Sequence, residues 1–275
     1  MKKKNIPIHA MLVFSCLIAM LPFAWMLSAS FMSRGDILTR QILPQVVQWK
    51  NYMDSWNQAR FGLYFRNSMV ISSLQVFGIW ITCSLAAYPL ARLSFPGKNI
   101  LFLLILSTLM IPQSVTLVPN VLIVAWLDKH TPVAWINNWP SLTIPFMSNA
   151  FAIFFLRQFF AVIPGEFWDA ARVDGASHLR FLIRVVIPMS KAPLLTLGML
   201  SFMGAWNALA WPLLVTNTPA WRPLSVGLLN LVEEAGIELH LQMAGATISV
   251  LPILAIYALI QRQFTDSIIQ TGIKG

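Results

Sequence analysis

Long apolar runs, separated by shorter polar stretches, account for most of the chain. Each run is as long as the roughly 20 residues that an α-helix needs to cross a hydrocarbon core of about 30 Å. None shows the alternation of a half-buried strand. The pattern predicts an all-α membrane protein, a single transmembrane domain over 1–275 whose six transmembrane helices lie at about 6–31, 67–91, 100–126, 141–163, 193–215 and 243–261.

Prolines interrupt the third run, at Pro112-Gln113-Ser114 and again at Pro119-Asn120. Proline removes a helical hydrogen bond, and such breaks persist at membrane depth only where protein or water satisfies the freed backbone groups. Two interpretations stand: a kink near a membrane face, or a helix that lines an aqueous cavity.

The composition supports a membrane location. Hydrophobic residues make up 57% of the chain and charged residues 11%, well below the quarter or so that is typical of soluble domains. The net charge of +9 comes from basic residues spread between the apolar runs, so no nucleic-acid partner is expected. Cys16 and Cys83 both lie inside apolar runs, which indicates packing residues rather than a disulfide or a metal site.

Basic residues also predict the orientation. Lys2, Lys3 and Lys4 precede an apolar stretch longer than the core of a signal peptide, which favours a retained first span although Ser28-Ala29-Ser30 resembles a cleavage site. An even number of spans puts both termini on one side, and twelve of the 19 Lys and Arg residues fall on that side. The positive-inside rule therefore predicts that both termini are cytoplasmic, together with the connection between the fourth and fifth spans.

That connection, Pro164 to Pro188, is the polar segment of the chain. Pro164 suits a first helical turn, Glu166 and Asp169 follow where the helix dipole favours negative charge, and Gly175 lies where a left-handed cap would end the helix. Ser177 is suited to cap a second helix. The spacing predicts one apolar face on that helix, formed by Leu179, Leu182, Ile183 and Val186. Arg180 and Arg184 share another face.

Two interpretations of the polar segment remain open from these residues. It is either a folded element that binds a partner, or an interfacial helix that only connects two spans. The stretch "DAARVDGASHLRFLIRVVIP" resembles the cytoplasmic EAA loop of ABC-importer permeases, with pattern E-A-A-x-x-x-G and a later proline. The residues that match this pattern are Asp169, Ala170, Ala171 and Gly175, and Ile187-Pro188 match its end. Asp169 stands where the family usually has Glu, so the side chain is shorter but carries the same charge.

Five further segments resemble the carbohydrate-uptake branch of these permeases, similar to the second membrane subunit of maltose-type importers. They are "IPQSVTLVPN", "FAIFFLRQFF", "WNALAWPLLVT", "RPLSVGL" and "QRQFTDSIIQTGIKG". The resemblance implies a multi-pass permease subunit of the bacterial inner membrane, in a binding-protein-dependent ABC importer for a sugar or sugar-like solute. It also implies that the polar segment is a coupling helix that contacts an ATPase subunit, through Glu166, Asp169, Ala170, Ala171, Asp174, Gly175, Arg180 and Pro188.

The resemblance further implies the partners: a second permease subunit, two ATP-binding subunits, an extracytoplasmic solute-binding protein and membrane lipid. The chain has no G-x-x-x-x-G-K-[ST] sequence, so no cofactor is expected on it, and ATP and Mg are assigned to the partner ATPase subunits. The chain itself is predicted to be non-catalytic.

Candidate residues of the translocation path centre on Asn207 between Trp206 and Trp211, because aromatic faces stack on sugars and an amide in hydrocarbon requires a partner. Gln113, Asn120 and Asn149 are weaker candidates. The alternative is that the two tryptophans are packing anchors and the amide bonds to a neighbouring helix.

Rival functions are a membrane-embedded scaffold or enzyme, or an ABC permease for a non-sugar solute such as a glycerol phosphate ester. An enzyme would need clustered polar side chains, whereas the four histidines are scattered.

Overall fold

Three of the apolar runs fold as single long helices in the computed structural model: α1 (Ile6–Ser30), α4 (Phe61–Arg92) and α15 (Leu239–Gly272). The structure describes the backbone of residues 6–57, 60–234 and 238–272, and the side chains of 8–57, 60–229 and 238–261. The lysines Lys2, Lys3, Lys4 and Lys274 of the predicted cytoplasmic termini therefore lie outside the described residues, as do the side chains of the last matched segment beyond Gln261.

Three further stretches that are apolar and long enough to span a membrane are pairs of helices that meet at a bend, and the last pair includes the second helix of the polar segment. Their bends are 101° between Lys98–Met110 and Gln113–His130, 44° between Trp139–Phe146 and Ala150–Val162, and 81° between His178–Met189 and Lys191–Trp206. If each pair is one span, the described chain holds six candidate spans, which agrees with the predicted number. No strand occurs in the described ranges, and the all-α prediction is confirmed.

The other helices of the described residues are shorter than these three. They are α2 (Arg34–Leu38), α3 (Lys50–Asn57), α5 (Lys98–Ser107), α6 (Gln113–His130), α7 (Trp139–Thr143), α8 (Ala150–Val162), α9 (Glu166–Val173), α10 (His178–Phe181), α11 (Ile187–Met189), α12 (Lys191–Trp206), α13 (Ala210–Val215) and α14 (Leu224–Glu234). Thr108–Met110 and Ile144–Phe146 are 3₁₀ turns, and Leu182–Val186 is a π-helical turn between α10 and α11.

The third span is interrupted once, not twice. The chain bends by 101° at Pro112, where an interruption was predicted, and α6 begins at the next residue. Pro119 lies inside α6, which continues to His130, so the prediction of a second break at Pro119-Asn120 is wrong. A helix of this length tolerates the loss of the one backbone hydrogen bond that proline cannot make.

The predicted fifth span, 193–215, is divided in the structure. Helix α12 ends at Trp206, and α13 begins at Ala210. Pro212 explains the division, because in one continuous helix it would leave the carbonyl four residues earlier without a partner. As the third residue of α13 it has no intrahelical acceptor to lose.

Contacts divide the described residues into two compact units. The first comprises Met1–Phe65 and Leu224–Pro252. Within it, the side-chain amide of Asn51 donates to the carbonyls of Ser30 and Met32 at 2.9 and 2.8 Å, which closes the open end of α1.

The second unit comprises Arg66–Pro223 and Ile253–Gly275, and it holds the polar segment. Its buried core joins α4, α8, α10, the π turn and α12, and includes Cys83, Ala87, Leu156, Phe160, Phe181, Val186 and Leu197. The side chain of Trp80 adds a polar tie, since its indole N–H donates to the carbonyl of Leu194 at 2.8 Å.

Candidate functional site

The first helix of the polar segment begins with acidic residues and ends at a glycine. α9 begins at Glu166, two residues after the predicted Pro164, and Glu166 and Asp169 occupy its first turn. At the other end Gly175 has φ +71°, its N–H donates to the carbonyl of Arg172, and the Ala176 N–H donates to the carbonyl of Ala171. These two bonds form a Schellman motif, so the predicted stop at Gly175 is confirmed.

The second helix begins as predicted and then departs from the prediction. The hydroxyl of Ser177 accepts the Arg180 N–H at 3.3 Å, which confirms the N-cap. The predicted apolar face is wrong in part, because Leu182 and Val186 are buried whereas Leu179 and Ile183 are exposed. The π turn at Leu182–Val186 breaks the regular helical spacing, and Phe181, just before that turn, is buried in the core.

Aromatic side chains seat the polar segment on the end of α4. The ring of His178 stacks on the indole of Trp168, with centroids 4.1 Å apart and planes 14° apart. The hydroxyl of Tyr88 lies 2.9 Å from Nδ1 of His178, and Phe181 packs edge-on to Trp168 at 5.1 Å. Residues from α4, α9 and α10 therefore meet in one cluster, which we call the aromatic seat (Tyr88, Trp168, His178 and Phe181).

Two arginine side chains reinforce the same end of α4. The guanidinium of Arg92 donates to the carbonyls of Ile163 and Pro164 at 2.5 and 3.3 Å, immediately before α9. Nε of Arg157 donates to the carbonyl of Leu90 at 3.1 Å and its guanidinium lies 4.0 Å from the Phe102 ring centroid. These cations satisfy backbone carbonyls at a helix C-terminus, where the helix dipole favours positive charge.

The predicted coupling residues mostly face outward. Glu166, Asp169, Ala170, Asp174, Gly175, Arg180 and Pro188 are exposed, and Ala171 is half-buried against the core. Asp169 also lines a cleft of about 260 Å³ together with Arg92, His178 and Trp168. Two apolar side chains of α9 stand out beside these charges: Phe167 is 46% exposed and Val173 89%.

Side chains of other helices hold the irregular backbone of the fourth span. The indole N–H of Trp211 donates to the carbonyl of Ser141 at 2.9 Å, and the side-chain amide of Gln75 donates to that of Leu142 at 2.7 Å. The hydroxyl of Thr82 donates to the carbonyl of Met147, and the side-chain oxygen of Asn149 caps α8 by accepting the Ala152 N–H. The backbone groups at the bend thus find hydrogen-bond partners within the protein, as the apolar surroundings require.

The predicted translocation residues fall into two groups. Trp206 and Trp211 are buried, and Trp206 stacks on Phe202 at 5.4 Å. The four amides are exposed: Asn149 caps α8, Asn207 follows α12, and Gln113 and Asn120 lie on α6. The amide of Asn207 donates to the carbonyl of Met203, four residues earlier.

Sequence reasoning missed Tyr88, Arg92, Trp168, His178 and Gln75. The position of Arg92 at the end of a predicted span was a signal, because basic side chains commonly cap helix C-termini. The pairing of Tyr88 with His178 had no signal, since the two residues lie 90 positions apart. Within the described residues, no group of three or more His, Cys, Asp or Glu side chains could hold a metal ion.

Comparison with known proteins identifies the family. The family model of the binding-protein-dependent transport system inner membrane component matches residues 76–270. The chain belongs to this family. It is therefore a multi-pass inner-membrane permease component of a binding-protein-dependent importer, and the family assignment from the polar segment is confirmed.

Relatives match over nearly the whole chain. The sn-glycerol-3-phosphate transport system permease protein UgpE of Pectobacterium atrosepticum is 30% identical over 96% of this chain and 95% of its own length. The diacetylchitobiose uptake system permease protein NgcG of Streptomyces coelicolor is 29% identical, over 95% of this chain and 86% of its own.

Solved structures share the fold. A chain of a bacterial ABC transporter involved in the import of the acidic polysaccharide alginate aligns with a TM-score of 0.83 and 24% identity, over 95% of this chain and 98% of that one. A chain of a bacterial alginate ABC transporter in complex with an alginate pentasaccharide-bound periplasmic protein aligns with a TM-score of 0.63 and 12% identity, over 94% and 93%. These likenesses confirm an ABC-importer permease fold.

Proposed function

We propose that this chain couples ATP hydrolysis on a partner subunit to the uptake of a sugar or sugar-like solute. The observation that carries the proposal is the polar segment: two helices capped at the turn between them, outward-facing charges on α9, and a seat that fixes the helices to α4. A lever must be stiff to transmit displacement, because a loop without such contacts would absorb it.

The proposed assembly contains a second permease subunit, two ATP-binding subunits and an extracytoplasmic solute-binding protein, within membrane lipid and without nucleic acid. ATP and Mg bind to the ATPase subunits, and this chain carries no cofactor and no catalytic residue. Both termini and the polar segment face the cytoplasm. The family's dependence on a binding protein and the excess of Lys and Arg in the connections on one side support this arrangement.

The contact with the ATPase subunit is assigned to the exposed side of α9. Glu166, Asp169 and Asp174 supply negative charge, while Phe167 and Val173 supply apolar surface that fits a groove. The small side chains of Ala170 and Ala171 keep the helix narrow, and Gly175 ends it. Arg180 adds a positive charge, and Pro188 lies at the end of the segment.

For the solute, we propose that the exposed amides of Asn207, Gln113 and Asn120 contact it, and that Trp206, Trp211 and Asn149 hold the frame. The two tryptophans are buried and the side-chain oxygen of Asn149 caps α8, whereas the other three amides are exposed on or beside their own helices. The solutes named for the relatives, sn-glycerol-3-phosphate and diacetylchitobiose, both carry hydroxyl groups, which amides bind well. A glycerol phosphate ester is the second candidate, because of the relative that is named for it.

Uptake by the reconstituted complex tests this function. Proteoliposomes with all subunits and the binding protein are expected to accumulate an oligosaccharide only when ATP is on the ATPase side. Asp169→Ala should lower uptake at least about tenfold, in line with a lost charge contact, and Asp169→Glu should retain most of it. Uptake that ignores both ATP and Asp169→Ala would contradict the proposal, and uptake of a glycerol phosphate ester alone would select the second candidate.

A further inference from the structure

Covalent continuity ties the polar segment only to α8 before it and α12 after it. The aromatic seat adds a third connection, to α4. We propose that Tyr88 and His178 are positioning residues that carry movement of the polar segment into the second span. This inference rests on the proposed coupling function.

The geometry restrains His178 on two sides. Its ring lies flat on Trp168 of α9 at 4.1 Å, and its Nδ1 faces the Tyr88 hydroxyl at 2.9 Å. Tyr88 is only 5% exposed, so its ring is fixed within the core of the second unit. A displacement of α9 therefore acts on α4 through a stacked ring and a hydrogen bond, while Arg92 holds the backbone before α9 against the same helix end.

Other side chains of α4 contact the bend in the fourth span. Gln75 and Thr82 of α4 hold the carbonyls of Leu142 and Met147, and Trp80 holds that of Leu194 in α12. Movement that enters α4 at Tyr88 thus acts on the side chains that satisfy this irregular backbone. Paired substitutions measure whether the two side chains act through the same contact.

The substitutions are Tyr88→Phe, His178→Phe and the double variant, in the complete transporter with its binding protein. Tyr88→Phe removes only the hydroxyl, and His178→Phe keeps a ring on Trp168 but removes Nδ1. Each single variant should lower solute transported per ATP hydrolysed by about two- to tenfold, the range of one lost hydrogen bond. The double variant should be no worse than the poorer single one, because both remove the same bond.

Matched controls are His130→Phe and Tyr257→Phe. His130 also stacks on a tryptophan, Trp126, at 4.5 Å, and Tyr257 is half-exposed. Both controls should transport as the unaltered complex does. Unchanged uptake per ATP in Tyr88→Phe and His178→Phe, or losses that multiply in the double variant, would overturn the inference. So would failure of Tyr88→Phe to assemble with its partners, because the contact would then serve folding alone.

Hydrogen exchange separates this inference from the proposed function. Trapping the ATPase subunits with ATP and vanadate should change backbone exchange near Tyr88 in the unaltered complex, and Tyr88→Phe should lose most of that change. This readout needs no solute. If the unaltered complex shows no binding-protein-dependent uptake, the proposed function fails, whereas an exchange response that persists in Tyr88→Phe overturns only the positioning role.

Discussion

Glycine is required at two positions of this chain for different reasons. Gly175 needs its conformation, since φ is +71° and a Cβ there would meet nothing within 4 Å. Gly198 needs its size, because a Cβ would lie 2.7 Å from the Trp80 indole in the buried contact between α4 and α12. The first position is therefore sensitive to backbone strain and the second to added volume.

Gly175→Ala should weaken the end of α9 by about 1 kcal/mol, because an L-residue is strained in the left-handed region. The expected result is faster backbone hydrogen exchange in α9 and reduced uptake, with normal membrane insertion. Exchange of α9 that matches the unaltered chain would show that the Schellman motif does not hold this helix.

Gly198→Ala should lower the stability of the folded chain by about 1–3 kcal/mol, the usual cost of overpacking a filled core. A thermal unfolding scan in detergent measures this. Gly204→Ala is the matched control, because it lies in the same helix with open space around its Cβ. Equal melting temperatures for the two variants would contradict the close packing of Trp80.

At the scale of elements, sequence reasoning succeeded where structure is set locally. The ends of α9 and the start of α10 follow from Gly175 and Ser177, whose capping bonds span five residues or fewer. The π turn was not predicted, because no residue type is specific to such a turn. The aromatic seat was not predicted either, because it joins residues that are distant in the sequence. The free carbonyl of Ser141 had a signal, because Pro145 has no N–H to donate to it, but nothing in the sequence pairs that carbonyl with the distant Trp211.

Arg92→Met should loosen the start of the polar segment, because two backbone carbonyls lose their donor. The segment carries exposed arginines at 172, 180 and 184, so trypsin reports its opening. In inside-out vesicles, cleavage there should speed up about two- to tenfold. Lys129→Met, at the end of α6, serves as the control. Cleavage that is no faster in Arg92→Met than in that control would contradict the anchoring role.

At the scale of the whole molecule, much of the described surface is apolar. Nearly every described side chain of α1 up to Trp25 is exposed, and so are most of those in α5 and the first half of α6. In water such a surface would aggregate, whereas in a bilayer lipid and other subunits cover it. The number of spans could therefore be predicted from hydropathy. Which side chains face lipid and which face another subunit could not be predicted, because both kinds of contact surface are apolar.

Site-specific photo-crosslinking tests the central claim most directly. A photoreactive amino acid in place of Val173, on the exposed side of α9, should crosslink to the ATPase subunit in the assembled complex. The same group in place of Met110, which is 84% exposed at the bend of the third span, should not. If the Val173 probe instead crosslinks to the extracytoplasmic binding protein, or only to lipid, the polar segment is not the contact with the ATPase.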